Sequence, residues 1–162
     1  MVVLKVISMD GRYRLNSEVQ RISSRTEKTG NSFCDRKGTD AVLVLVRQGS
    51  QQLVNELSRL WHMDDQCKKS VVFLLSADDR RLYFAAQPNV DFNSDELQSI
   101  IDSNSMPLQT GDFVVALGNI LKEVGKRTDI GVVTPAPHDP SKVAASMFLS
   151  ALSLLIAVFI AF

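Results

Sequence analysis

Two cysteines, two tight aspartate pairs and two histidines are the residues of this 162-residue chain whose types and spacing suggest chemistry. Cys34 and Cys67 are its two cysteines, and each stands just before a predicted β-strand, so a parallel crossover would bring them close. In an oxidising compartment a bridge closing this loop of about 33 residues would add roughly 3 to 4 kcal/mol of stability. In the cytosol both thiols would stay reduced and inert. Neither has the spacing of a metal-ligand set, because His62 near Cys67 gives at most a lone His–Cys pair. Asp78 and Asp79 in "SADDRR", and Asp64 and Asp65 after Trp61, end elements of an α/β pattern, where sites often lie. Paired carboxylates suit a hard cation, but one pair supplies fewer oxygens than Mg²⁺ or Ca²⁺ takes. Turn chemistry is therefore the preferred reading, with Asp78 and Asp79 as the alternative metal ligands.

His62 and His138 lie far apart, with no serine or cysteine placed to form a nucleophilic pair. The glycines of "TGNSFCDRKGTD" have neither the spacing of a phosphate loop nor a helix directly after them. No Asn-x-Ser/Thr acceptor occurs, so glycosylation gives no support for an extracellular domain. The residues thus point to no catalytic centre and no cofactor, and a non-enzymatic protein is expected. Lysine plus arginine and aspartate plus glutamate balance at 18 each, so no global field draws nucleic acid. The first 40 residues carry eight basic and five acidic side chains without a block of like charge, which reads as solvated surface.

These residues need elements to position them. "LNSEVQRI" reads as a helix start, with Ser17 as cap and Gln20 three residues on. "AVLVLV", residues 41–46, reads as a central strand buried on both faces. Leu53, Val54, Leu57, Leu60 and Trp61 then form one helical stripe. "SVVFLLS" and "RLYFAAQ" read as a hairpin across the "ADDR" turn. Asn93 caps a further helix with Glu96 at its third position. Thr110 opens a last one, which carries Phe113, Val114, Leu117, Ile120, Leu121 and Val124 and stops at Gly125. Trp61 and Phe113 read as core anchors. Two strands joined by a helix imply a right-handed parallel crossover, so the expectation is a small mixed α/β sheet with helices on both faces.

"TPAPHDPSK" holds three prolines in nine residues and reads as a stalk, over residues 128–142. Beyond it, the 20 residues Val143 to Phe162 carry no charge and three serines as their polar side chains. As a helix they would reach about 30 Å, the thickness of a hydrocarbon core, so a transmembrane anchor is expected. A buried core helix would keep a polar stripe, which this run lacks. A lipid-anchor signal, with cleavage near Gly131 or Ala136, is the other reading of the tail. "MVVLKVISMDG" is not a secretory signal, since Lys5 and Asp10 break its apolar pieces. As printed the chain reads as tail-anchored with a cytosolic domain, or as a sequence whose start lies upstream.

"LNSEVQRI", "CDRKGTDAVLVLV", "LVNELSRLWHM", "SVVFLLSADDRRLYFAA" and "LQTGDFVVALGNILKEVG", in this order, resemble a TPM-type domain. That domain is shared by thylakoid-lumen proteins, bacterial membrane proteins and the modulator of the roundworm levamisole receptor. The likeness spans Leu15 to Gly125, so residues 1–14 read as an N-terminal segment and 15–127 as the domain. The cysteines at 34 and 67 and the single anchor point to the receptor-modulator branch. The resemblance implies a Rossmann-like αβα sandwich outside the cell at the plasma membrane. It also implies partners, namely the subunits of a levamisole-sensitive acetylcholine-gated channel and the lipid bilayer. Some TPM relatives are described as weak metal-dependent phosphatases or cation binders, which would assign Asp78 and Asp79 to metal or phosphate chemistry. The segment "QPNVDFNSDEL" lacks the glycine that bacterial and plant relatives carry after the third strand. A cytosol-facing tail-anchored adaptor is the remaining alternative.

Overall fold

The computed structural model describes residues 6–127. The stalk and the expected anchor, residues 128–162, lie outside the described residues. Helix α1 (Met9–Thr26) starts well before Ser17, because the Ser8 side chain accepts the Gly11 N–H and so caps it. Ser17 and Gln20 are interior positions of that helix. A single turn, α2 (Phe33–Arg36), follows, held by a capping box in which Ser32 and Asp35 satisfy each other's backbone N–H. Strand β1 (Asp40–Val46), helix α3 (Gln51–Trp61), strand β2 (Ser70–Ser76) and strand β3 (Arg81–Ala86) then form the expected crossover and hairpin.

The sheet order is β1-β2-β3, with β1 parallel to β2 and β2 antiparallel to β3. β2 is the central strand and is buried along its whole length. β1 is an edge strand, half-buried at all seven residues, which corrects the expectation that "AVLVLV" is covered on both sides. Composition alone cannot separate the two cases, since an apolar run fits either place.

Helices α4 (Ser94–Ser103), α5 (Ser105–Thr110) and α6 (Phe113–Arg127) complete the described chain. Asn93 caps α4 as expected, accepting from the Asp95 N–H at 3.0 Å. Thr110 is no cap for α6; it ends α5, where its hydroxyl donates to the Met106 and Pro107 carbonyls. Gly111, at φ 85°, makes the left-handed break between these two helices. α6 runs on through Gly125 to Arg127.

Alternation along β2 separates two layers of core. Val71, Phe73 and Leu75 face α1, α4, α5 and α6, meeting Leu15, Ile22, Leu97, Leu117 and Ile120. Val72 and Leu74 face α3, where Val54 is the fully buried contact. Each fully buried side chain of this size contributes about 1.5–3 kcal/mol. Phe113 is buried as expected, whereas Trp61 is 45% exposed and Leu60 59% exposed, so α3 buries one row of its stripe and not all of it. Among the described residues no helix is long and apolar enough to cross a membrane.

Candidate functional site

The two ends of the sheet carry the residues singled out above. At the end where β1 and β2 begin, Cys34 and Cys67 form a disulfide with their Cα atoms 5.2 Å apart, closing a 33-residue separation. The crossover does bring the two strand entrances together. Cys67 is buried. Its loop is built around Asp64, whose carboxylate accepts the Cys67 N–H at 3.1 Å and the Lys69 N–H at 2.9 Å. Lys37 adds its ammonium at 3.1 Å and bonds Asp40 at 2.7 Å. Burial pushes the Asp64 pKa up, but the Lys69 and Cys67 N–H groups and Lys37 outweigh it, and the net shift is downward. For Lys37, burial works against the ammonium, yet the bonds to Asp40 and Asp64 raise its pKa overall.

Beside the disulfide lies an open cavity of about 580 Å³, lined by Lys28, Asn31, Cys34, Asp35, Lys69 and Asp91 among others. Asp91 binds Lys28 at 2.8 Å and Lys69 at 3.3 Å. Lys69 also donates to the Lys37 carbonyl at 2.9 Å, and Asn89 to the Cys67 carbonyl at 2.9 Å. Among the described residues every buried side-chain nitrogen or oxygen has a partner. The charges along this wall are engaged, Lys28 and Lys69 with Asp91 and Asp35 with Ser32. Asp65, the neighbour of Asp64, is turned outward to Lys68 and His62, and those bonds lower its pKa. His62, at φ 45°, ends α3 in the left-handed region.

At the opposite end Asp78 and Asp79 diverge. The Ser76 hydroxyl donates to Asp79 at 2.5 Å, and its own oxygen accepts the Gly49 N–H at 2.9 Å. Asp78 lies 3.6 Å from the Arg47 guanidinium, and its N–H donates to the Arg47 carbonyl. Gly49 has no room for a side chain, since a Cβ would come within 2.3 Å of Leu74 Cδ2. Arg80 occupies the left-handed region and donates to the Gln109 carbonyl. Among the described residues no group of three or more His, Cys, Asp or Glu could hold a metal. Asp78 and Asp79 of the β2–β3 turn thus bond to different partners, Arg47 and Ser76.

The sequence reading missed the exposed apolar row of α3. Leu53, Leu60 and Trp61 stand in solvent on the helix that covers β2 and β3. The missing signal is a count: among the described residues one helix packs on the α3 side of the sheet, against four on the other.

Comparison with known proteins now adds to this geometry. Residues 5–80 match the family model described as modulator of levamisole receptor-1, which supports a domain of that family over α1 to the β2–β3 turn. The match includes both cysteines and lies toward the amino-terminal side, whereas the residue pattern extends the likeness to Gly125. Among solved structures, the chain resembles the N-terminal domain of the cg2496 protein from Corynebacterium glutamicum, at 9% identity and a TM-score of 0.56, covering 80% of each chain. It also resembles the BA42 protein of the psychrophilic bacterium Bizionia argentinensis, at 13% identity and a TM-score of 0.53, covering 70% of this chain and 77% of that one. At such identities the likeness is one of fold. No curated protein matches the sequence.

Proposed function

We propose that this chain is a non-enzymatic, single-pass membrane protein that modulates a levamisole-sensitive acetylcholine-gated channel. The observation that carries the reading is the match of residues 5–80 to the receptor-modulator family. In this reading residues 15–127 are a TPM-like domain outside the cell, 128–142 a stalk, and Val143 to Phe162 the anchor. The Cys34–Cys67 bridge supports that side of the membrane, because disulfides persist in oxidising compartments. The engagement of Asp78 and Asp79 with Ser76 and Arg47 supports a role without metal or phosphate chemistry.

The physical mechanism is tethering with state preference. An anchor confines the domain to the plane of its partner and raises its effective concentration there. Gating changes when the domain binds one channel state more tightly than another, and by no more than that difference. The test is co-expression of the channel subunits with and without the full chain, recording agonist-evoked currents. The reading expects altered current amplitude or agonist sensitivity. Unchanged currents with the chain confirmed at the cell surface would remove it.

A further inference from the structure

We propose that the outer edge of β1 receives an extended, apolar strand of another polypeptide, adding a fourth strand to the sheet. The argument begins with where the backbone groups point. The Asp40 N–H donates to the Lys69 carbonyl, and the Val46 carbonyl accepts the Ala77 N–H, so the even-numbered residues of β1 face β2. Ala41, Leu43 and Leu45 consequently turn their N–H and C=O groups outward. None of these groups has a backbone partner among the described residues. They repeat every roughly 6.7 Å, the two-residue period of a strand.

Sheet edges of this kind are ordinarily blunted by charge, proline or a covering side chain. β3 shows such management. It begins at Arg81, and Gln51 Nε2 covers its outward Phe84 carbonyl at 2.7 Å. Over Ala41–Val46 all six side chains of β1 are apolar, with no lysine or proline in the run. The edge also opens on a groove of about 270 Å³ between β1 and α1, with Leu15 and Val19 on one wall, Leu43 and Leu45 on the other, and Arg12 and Asn16 at the rim. On the opposite side of the sheet Val42 is half-buried and packs in neither core cluster. An added strand would thus find apolar neighbours for its side chains on both faces.

The same geometry argues for a single strand and against a second copy of the chain. A two-fold axis that pairs β1 with its own copy stands perpendicular to the sheet and leaves both α1 helices on one side. α1 packs against β1. Two helices there would meet across strands only about 4.8 Å apart, while packed helices need roughly 8–10 Å between axes. A lone extended segment brings no helix with it, and this is the strand-addition mode of peptide recognition.

The test is residue-resolved hydrogen exchange on the full chain in lipid nanodiscs. The probe is a synthetic ten-residue peptide of alternating valine and threonine with lysine ends. Its control is the same peptide N-methylated on the alternate residues that would face β1. Fast exchange is expected at Ala41, Leu43 and Leu45 in the chain alone, slowed about tenfold or more by the saturating probe and untouched by the control. Val42→Lys should abolish the slowing while Val72 and Leu74 stay protected. Should that variant lose β2 protection, Ala41→Pro substitutes for it, since it deletes an outward N–H and leaves the inner ladder whole. No slowing by the probe, or equal slowing by the control, would overturn the proposal. So would protection already present in the chain alone: if it rises with chain concentration the occupant is a second copy, and if it does not, the chain covers its own edge.

Discussion

Asp64 shows how one buried carboxylate can set a surface loop. Two backbone N–H groups and one ammonium converge on it, and the segment carrying Cys67 is shaped by those bonds. Asp64→Asn would keep the size but place an amide N–H₂ against donors that need an acceptor. A loss of about 2–3 kcal/mol is expected, read by chemical denaturation at neutral pH. The pH dependence follows from the direction of the shift. Asp64 has a lowered pKa in the fold, so its contribution is fully present above the unfolded value near 3.9 and is lost as pH falls through the folded one. Lys37 has a raised pKa, so its contribution holds below about 10.4 and is lost as pH rises through its folded value. The stability gap between wild type and Asp64→Asn should therefore stay flat between about pH 5 and 9 and close in acid. At the other end, Gly49→Ala would force its methyl against Leu74, a residue with no exposed surface, at a cost of about 1–3 kcal/mol.

At the scale of elements, the disulfide joins the one-turn helix α2 to the entrance of β2 and makes the crossover a closed loop. Cys34→Ser with Cys67→Ser should lower stability by about 3–4 kcal/mol, read from the denaturation midpoint and slope together, the slope rising as the unfolded chain expands. The strands were legible because apolar runs bounded by Asp40, Gly49 and the "ADDR" turn leave few alternatives. The edge position of β1 was not, because Ala41–Val46 would read the same in the middle of a sheet. The start of α1 was misplaced because Ser17 with Gln20 imitates a capping box, while the actual cap, Ser8, opens a polar stretch with a thin apolar stripe. For α2 the signal was present in Ser32 and Asp35 and too short to carry a helical period. Trp61 misled through its residue type: a stripe five residues wide suggests burial, but one row of it suffices to cover Val72 and Leu74. Of the site, the proximity of the cysteine pair was readable from the parallel crossover. The partners of Asp64 were not, since Lys37 and Lys69 reach it only once β1 and β2 lie side by side.

The whole molecule has balanced charge, and a disulfide closes one end of its sheet. The proposed function adds a channel as the partner, on the match of residues 5–80 to the receptor-modulator family. A companion of a surface channel must travel with it to the outside of the cell and stay oxidised there. The direct measurement is isolation of the channel from intact, surface-biotinylated cells, followed by non-reducing detection of this chain in the recovered complex. The account predicts that the chain is biotinylated, co-isolates with the channel and carries the Cys34–Cys67 bridge. Recovery of the surface channel without the chain, in cells where both are made, would contradict it.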